Sequence, residues 1–238
     1  MNKIILEDSI YNLNSNEYNI KSKNNITVFN IENDSNVKLV ELNLEDVDTN
    51  YTFNIYNNTN IHIDIFDNSK HIKRLININI DGENSDVVLN ISTISLIENK
   101  YVINVFHNKK NSKSSTIIHG VSLDGSKIEI INNGNIIKNS TNSILHQDNK
   151  IINIEENNSK IEPNLYIDEY DIEASHGAFI GKFEEDTLFY LKSRGLSEKE
   201  SYNLLIKGFL LEDFYKYESL SDKLLKIINK YWRWDDEL

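Results

Sequence analysis

Histidines and paired acids are the side chains with the widest chemical repertoire in this chain of 238 residues. Cys is absent, so the chain itself supplies no thiolate metal ligand and no thiol nucleophile. His107, His119 and His146 are of a type that binds metals together with carboxylates, but their spacing matches no ligand motif, and a structural role is favoured. His62 falls within an alternating strand pattern, which predicts a side chain that faces solvent.

Two acidic runs have the residue types of a general acid and base, Glu155-Glu156 and Glu184-Glu185-Asp186. The second run opens a predicted helix, where negative charge is favoured near the positive end of the helix dipole. A structural role is therefore favoured over catalysis. The chain has no Gly-rich phosphate-binding loop, so we do not expect it to hydrolyse nucleotides.

Charge and hydropathy narrow the class of partner. The chain carries 25 Lys+Arg against 37 Asp+Glu, a net charge of −12, which disfavours binding to nucleic acid or to an anionic membrane surface. No apolar run approaches the ~20 residues of a membrane span. The first eight residues have too short an apolar stretch for a secretory signal, and they are too acidic for a transit peptide. The sequence predicts a soluble cytoplasmic protein.

Short strands have to position these side chains over residues 1 to about 175. Apolar and polar residues alternate there with period two, and Asn, Asp, Gly and Ser clusters mark the turns between the runs. The pattern permits a β-sandwich, a β-barrel or a parallel β-helix. The clearest runs are 61–65, 76–80, 89–91, 102–105, 116–118, 127–131 and 150–154.

Asn and Ile are unusually abundant, with 37 and 36 residues. AT-rich codon usage is the simplest explanation of the abundance. The position of Asn beside the strands nevertheless favours a β-helix, because stacked coils can form hydrogen-bonded Asn ladders. The absence of a strict sequence repeat weighs against a solenoid, so pattern alone leaves the three folds open.

From Glu184 onward the apolar period becomes helical, and we expect a boundary near residue 180 between a β domain (1–180) and a helical domain (181–238). A short helix should end at Gly195, and Ser197-Glu198-Lys199-Glu200 has the pattern of a capping box. The expected apolar stripes of the three helices are Leu188, Phe189 and Leu191; Leu204, Leu205, Gly208, Phe209 and Leu211; and Leu224, Leu225, Ile228 and Trp232.

Several short motifs follow one another across this boundary. They are Pro163, Leu165 and Ile167; Ser175-His176-Gly177-Ala178; Gly181; Leu188-Phe189-Tyr190-Leu191; Ser193-Arg194-Gly195; and Gly208-Phe209. In this order and spacing, residues 162–210 closely resemble the C-terminal signature of the SufB/SufD family of iron–sulfur cluster assembly proteins. Phe106-His107 and the run 120–125 resemble weaker landmarks of the same family.

The resemblance implies a fold. Members of the family form a right-handed parallel β-helix that is followed by a small C-terminal α-helical domain. At about 22 residues per coil, within the range of solenoid repeats, residues 8–172 accommodate such a core. Because the strand pattern starts almost at the first residue, we expect a short form without the N-terminal helical region of longer members.

The resemblance also implies partners. Family members are non-enzymatic scaffold subunits that assemble clusters together with the ABC-type ATPase SufC, which binds the C-terminal helical domain. The residues that carry this expected contact here are Leu188, Phe189, Tyr190, Leu191, Arg194, Gly195 and Phe209. His176 corresponds to a proposed cluster ligand or assembly residue at a subunit interface, which is formed through the β-helix with a SufB-like subunit or an identical copy.

Two departures make the chain SufD-like. SufB-type members carry His-Glu-Ala where this chain has His176 and Gly177, and their Cys position falls near Asp148 here. Thiolates are the usual ligands of iron–sulfur clusters. We therefore expect the chain alone to hold no cluster stably, and a cluster to be present only transiently at an interface with a partner subunit.

Two other functional classes stay open at this point. A carbohydrate-active β-helix would need Asp, Arg or Lys clustered on one face, yet Arg occurs only as Arg74, Arg194 and Arg233. A structural solenoid such as an adhesin would be exported, and it would not need residues 188–195, Leu-Phe-Tyr-Leu-Lys-Ser-Arg-Gly, which are called the helical motif below. The Trp232-Arg233-Trp234 end is read either as a docking patch or as a hydrophobic clasp.

Overall fold

The structure is a computed structural model that describes residues 2–22, 25–155 and 158–231. Its chain divides into two compact units, Met1–Ile180 and Gly181–Leu238. The first unit is a solenoid of parallel strands, and the second contains three helices, so the predicted mostly β class and β-helix architecture are confirmed. The sandwich and barrel alternatives are excluded because every described strand pair is parallel.

The elements have the following bounds. The strands are β1 (Asn2–Leu6), β2 (Ile10–Leu13), β3 (Asn16–Ser22), β4 (Ile26–Ile31), β5 (Asn36–Asn43), β6 (Val47–Ile55), β7 (Asn60–Ile80), β8 (Asp86–His107), β9 (Lys113–Ser122), β10 (Lys127–Ile136), β11 (Ser143–Asn153), β12 (Lys160–Ile167) and β13 (Ile172–Gly181). The helices are α1 (Glu185–Ser193), α2 (Glu198–Leu211) and α3 (Glu218–Tyr231).

The strands form two stacks, one on each side of the solenoid. The first stack runs β1-β3-β5-β7-β8-β9-β11-β13, and the second runs β2-β4-β6-β7-β8-β10-β12. The long strands β7 and β8 take part in both stacks. Parallel pairing places equivalent positions of successive coils side by side, so side chains far apart in the sequence become neighbours.

The coil length is not uniform, and the expected value of about 22 residues per coil is wrong for most of the solenoid. Paired residues are 16 positions apart at Asn2 and Tyr18, and 26 positions apart at Ile63 and Leu89. They are 31 positions apart at Glu129 and Lys160. Because the period drifts along the chain, no fixed-length repeat is visible in the sequence.

Asn ladders join the coils, as the position of Asn beside the strands predicted. In one ladder each Asn donates its side-chain N–H to the Asn of the preceding coil, over distances of 3.4, 2.9, 2.8 and 3.0 Å. A second ladder occupies the turns, and its residues have positive φ angles between 54° and 57°. The first ladder is Asn50, Asn77, Asn104, Asn133 and Asn164, and the second is Asp34, Asn58, Asn84, Asn111 and Asn142.

An ion cluster lies inside the solenoid at Arg74. The Arg74 guanidinium donates to Asp67 at 2.7 and 2.8 Å and to Glu41 at 3.1 and 3.3 Å. Tyr51 donates its hydroxyl hydrogen to Glu41 at 3.1 Å, and Tyr101 donates to Asp67 at 2.9 Å. All five side chains are buried, and this burial raises the pKa of Glu41.

The helical unit confirms the predicted helix signals. Gly195 has a φ of 95° just beyond α1, and Glu185 and Asp186 lie in the first turn of α1. Ser197 accepts a hydrogen bond from the Glu200 N–H at 3.2 Å, and the Glu200 carboxylate accepts one from the Ser197 N–H at 2.8 Å. The capping box is therefore complete.

The predicted apolar stripe of α2 is partly wrong. Ile206, Leu210 and Leu211 are buried, whereas Leu204 and Gly208 are exposed. The apolar run from 204 to 211 is wider than one helix face, and the buried face follows the four-residue spacing of Ile206 and Leu210. In α3, Leu224 and Ile228 are buried as predicted, while Trp232 lies outside the described residues.

Candidate functional site

The terminal strand β13 carries His176. Each of its ten residues is exposed or half-buried. His176 itself is exposed, and it lies between Ser175 and Gly177. Among the described strands, β13 pairs with β11 alone, which leaves its other edge without a strand. His176 is therefore accessible at one end of the solenoid.

Polar side chains of β11 contact the neighbours of His176 on the outer face. The His146 Nδ1 atom lies 2.8 Å from the Ser175 hydroxyl oxygen. Lys150 donates to Asp148 at 2.6 Å, and a Cβ atom added to Gly177 would lie 3.2 Å from the Asp148 carboxylate. Asp148, at the position expected from the resemblance for a Cys, thus lies directly beside the Ser-His-Gly segment.

The side chain of His176 points to the opposite face from Ser175. Successive side chains of a strand alternate between its two faces, and the exposed Ser175–His146 pair marks the outer face. His176 is thereby directed toward the interior side of the last coil, where the buried Asn149 donates to the Gly177 carbonyl oxygen at 3.2 Å. The open end of the solenoid leaves the imidazole accessible.

The other histidines are dispersed. His107 is buried between the hydroxyl oxygens of Ser112 and Ser114, each 2.7 Å from one ring nitrogen, and burial lowers its pKa to about 4. His119 is also buried, and His146 contacts Ser175. In the described ranges, no three His, Asp or Glu side chains are grouped closely enough to hold a metal ion.

His62 lies on the outer face, as predicted, but it also contacts a buried acid. It is half-buried rather than freely solvated, and its Nε2 atom lies 3.0 Å from the carboxylate of the buried Asp64. Asn90, from the next coil, donates to the same carboxylate oxygen at 2.9 Å. Alternation correctly places His62 on the outer face, but it does not show that a buried acid two residues away binds the ring.

A family model matches most of the chain, across both the solenoid and the first helices. The SufBD core domain of the SUF system of FeS cluster assembly matches residues 7–209, which include the solenoid from β2 onward, α1 and most of α2. The chain belongs to the SufBD family. The similarity to this family is therefore not limited to the Ser-His-Gly segment and the helical motif, and it covers most of the chain.

Individual SufBD relatives match shorter stretches. The SufD protein of Bacillus subtilis is 27% identical over 133 residues, which are 55% of this chain and 30% of that protein. Escherichia coli SufD is 36% identical over 64 residues, 27% of this chain and 14% of the relative. A SufBD family protein of Pyrococcus horikoshii is 55% identical over 40 residues, 17% of this chain and 9% of the relative. These matches span less than a third of each relative.

The helical motif of this SufBD chain forms an exposed aromatic surface. All residues of α1 are exposed or half-buried, and Phe189 and Tyr190 are 74% and 55% exposed. The Arg194 guanidinium lies 5.2 Å from the centre of the Tyr190 ring. Phe209 packs edge-on against Phe183, with ring centres 6.3 Å apart. Leu188 and Leu191 are half-buried, and Gly195 follows the helix.

Across the described residues, none of the three helices has the length and apolar character of a membrane span.

Sequence reasoning missed the polar residues around the SufBD histidine segment. For His146 the sequence favours a structural role without indicating its partner, and it predicts no contribution of Asn149 or Lys150. The pairs His146–Ser175 and Asn149–Gly177 are 29 and 28 residues apart. A variable coil length hides such pairs, because no constant offset identifies the residue of the next coil.

Proposed function

We propose that the chain is a non-enzymatic, SufD-like subunit of a cytoplasmic scaffold on which iron–sulfur clusters are assembled. The observation that carries this proposal is the family match over residues 7–209, which ends within α2. Exposure of His176 on the terminal strand supports it as well. The cluster is the cargo of such a scaffold, and a site built from His176 alone is incomplete.

The scaffold partner would bind the C-terminal end of the solenoid. β12 and β13 contain no buried residue, and several large apolar side chains are exposed on or near them. They are Tyr166, Ile167, Tyr170, Phe179 and Ile180. A partner subunit can cover this surface and pair with the free edge of β13. We propose a Cys-bearing SufB-like subunit or an identical copy, and a transient cluster at their interface near His176.

The helical unit would bind a SufC-like ABC ATPase. An exposed Phe or Tyr beside Arg is typical of residues that contribute strongly to protein interfaces. Phe189, Tyr190 and Arg194 have this arrangement, and both aromatic rings are largely exposed. Leu188, Leu191, Gly195 and Phe209 complete the expected docking region.

Co-purification tests the ATPase contact. Phe189→Asp should reduce retention of the SufC-like ATPase at least tenfold, because a carboxylate would be buried in place of an aromatic ring. Tyr215→Asp is the matched control, since Tyr215 is a 54% exposed aromatic of the same unit that lies outside the motif. Equal retention by the wild-type chain and Phe189→Asp would contradict the docking proposal.

Cluster formation by the assembled complex tests His176. His176→Ala should lower the yield of cluster sharply, while the free energy of unfolding changes by less than ~1 kcal/mol, as for an ordinary exposed residue. The isolated wild-type chain should not retain stoichiometric iron and sulfide after anaerobic reconstitution. A large loss of stability with normal cluster yield would assign His176 a structural role instead.

The carbohydrate-active alternative gains no support from the two described arginines. Arg74 is buried in an ion cluster and cannot contact a polysaccharide, and Arg194 stacks on Tyr190. Membership of the SufBD family also accounts for the helical motif, which a structural solenoid unrelated to cluster assembly would not need. The Trp232-Arg233-Trp234 end lies outside the described residues.

A further inference from the structure

The attachment of β13 to the solenoid depends on polar contacts. None of its ten residues is buried, so hydrophobic burial contributes little to holding this strand in place. Two side chains of β11 contact the segment on either side of His176. His146 contacts the Ser175 hydroxyl from the outer face, and Asn149 donates to the Gly177 carbonyl oxygen from the inner face.

The Asn149 side chain is itself fixed by a hydrogen bond from the interior of the solenoid. Its side-chain oxygen accepts a hydrogen bond from Asn132 at 3.0 Å, and Asn132 also donates to the Thr116 hydroxyl oxygen at 2.9 Å. All three side chains are buried. This interior chain of hydrogen bonds therefore links β9, β10 and β11 to the backbone beside His176.

Both amides occupy a position that is apolar in the coils directly before them. Register places Asn149 in line with Ile65, Ile91 and Ile118 of the preceding coils. Asn132 likewise follows Ile76 and Ile103. A buried amide costs free energy unless its hydrogen bonds are made. Each amide stands at the last position before the terminal strand of its stack, which is β13 for Asn149 and β12 for Asn132.

We propose that Asn149, supported by Asn132, is a positioning residue that fixes the Gly177 carbonyl and thereby directs the His176 imidazole. Without this hydrogen bond, β13 keeps its backbone pairing to β11 but loses its inner anchor. Its effect on cluster formation rests on the proposed function of His176. Its effect on the mobility of β13 does not.

Asn149→Leu is the direct test. Leu has the same branched heavy-atom skeleton as Asn, and it extends the apolar run of Ile91 and Ile118, so the solenoid should still fold. Amide hydrogen exchange of residues 175–178 should become at least tenfold faster, and the His176 ring signals should shift in NMR spectra. Asn104→Leu is the matched control. Asn104 also forms an inter-coil hydrogen bond, of 2.9 Å, but it belongs to the first Asn ladder and does not contact β13.

Unchanged exchange at residues 175–178 in Asn149→Leu would overturn the proposal, and so would faster exchange throughout the solenoid. Asn132→Ile provides a second variant that removes the support and leaves Asn149 in place. It should give a smaller increase, confined to the same segment. If His176→Ala leaves cluster yield unchanged while Asn149→Leu still mobilises β13, the proposed function of His176 fails and the positioning role stands.

Discussion

His107 makes the stability of the solenoid depend on pH. Its two ring nitrogens contact Ser112 and Ser114, and a neutral imidazole can donate to one hydroxyl and accept from the other. Burial lowers the pKa from 6.5 to about 4, so the folded chain keeps the ring neutral where the unfolded chain binds a proton. The stability contribution is complete above pH 6.5 and is lost as the pH falls toward 4.

We expect the contribution of His107 to decrease by about 3 kcal/mol between pH 7 and pH 4, which corresponds to the size of this pKa shift. His107→Gln removes the titrating ring, so its free energy of unfolding should vary less with pH than that of the wild-type chain. Urea unfolding at pH 7, 5.5 and 4.5 measures the difference. The control is His146→Gln, an exposed site, and a parallel pH dependence of wild type and His107→Gln would refute the assignment.

Arg74 is a buried charge whose removal should lower the stability of the solenoid. Arg74→Met should destabilise the chain by about 3–5 kcal/mol, because Asp67 and Glu41 lose their common cation in the interior. Lys73→Met is the neighbouring control. Its ion pair with Asp48 is 3.1 Å long and largely exposed, so the expected change is below ~1 kcal/mol. Urea denaturation compares the two variants, and similar losses would mean that the Arg74 cluster contributes no more than a surface pair.

Among the elements, the second ladder, which occupies the turns, shows which features of the fold can be predicted from the sequence and which cannot. Alternation predicts the strands because burial selects every second residue. A repeat is also present, since each of Asp34, Asn58, Asn84, Asn111 and Asn142 precedes a buried Ser or Thr. Its spacing is 24, 26, 27 and 31 residues, so a search for a constant period does not detect it.

The sequence predicts the candidate site only in part: it identifies His176 but not the residues that contact its segment. The Ser-His-Gly segment identifies His176 as a residue of interest, and the end of the strand pattern places it near a domain boundary. The residues that contact the segment come from the preceding coil, and their identity depends on a coil length that the sequence does not fix. Asn149 in particular resembles the other strand Asn residues until the register shows it facing inward.

Asn84 tests the turn ladder. It has a φ of 57°, donates to Asn58 at 3.3 Å and accepts from Asn111 at 3.1 Å. Asn84→Ala should destabilise the chain by about 1–2 kcal/mol, because alanine strongly disfavours this left-handed conformation. Asn84→Gly removes the same hydrogen bonds but adopts the conformation readily, so its loss should be smaller. Equal losses in thermal or urea unfolding would assign the effect to the hydrogen bonds rather than to the backbone.

The whole solenoid is asymmetric from end to end. Its first coil is short, and the side chains of Leu6 and Leu13 are already buried there. The last coil is almost twice as long, and β12 and β13 contain no fully buried residue. Exposed β-sheet ends promote association unless they are blocked or covered. The asymmetry therefore favours the C-terminal end as the surface for the partner subunit that we propose.

Charge substitutions at the two ends test this asymmetry. Phe179 on β13 and Ile26 on β4 are both large exposed apolar residues, 46% and 62% exposed. Phe179→Lys should weaken association with an identical copy or a Cys-bearing SufB-like subunit at least tenfold, because the ammonium group would have to be desolvated at the interface. Ile26→Lys should leave association unchanged, and neither substitution should alter the unfolding midpoint appreciably, since both sites are exposed. Sedimentation velocity over a concentration series, with and without the partner, measures both effects. Association that is weakened by Ile26→Lys and not by Phe179→Lys would place the interface at the opposite end, and the pairing proposed for β13 would then be wrong.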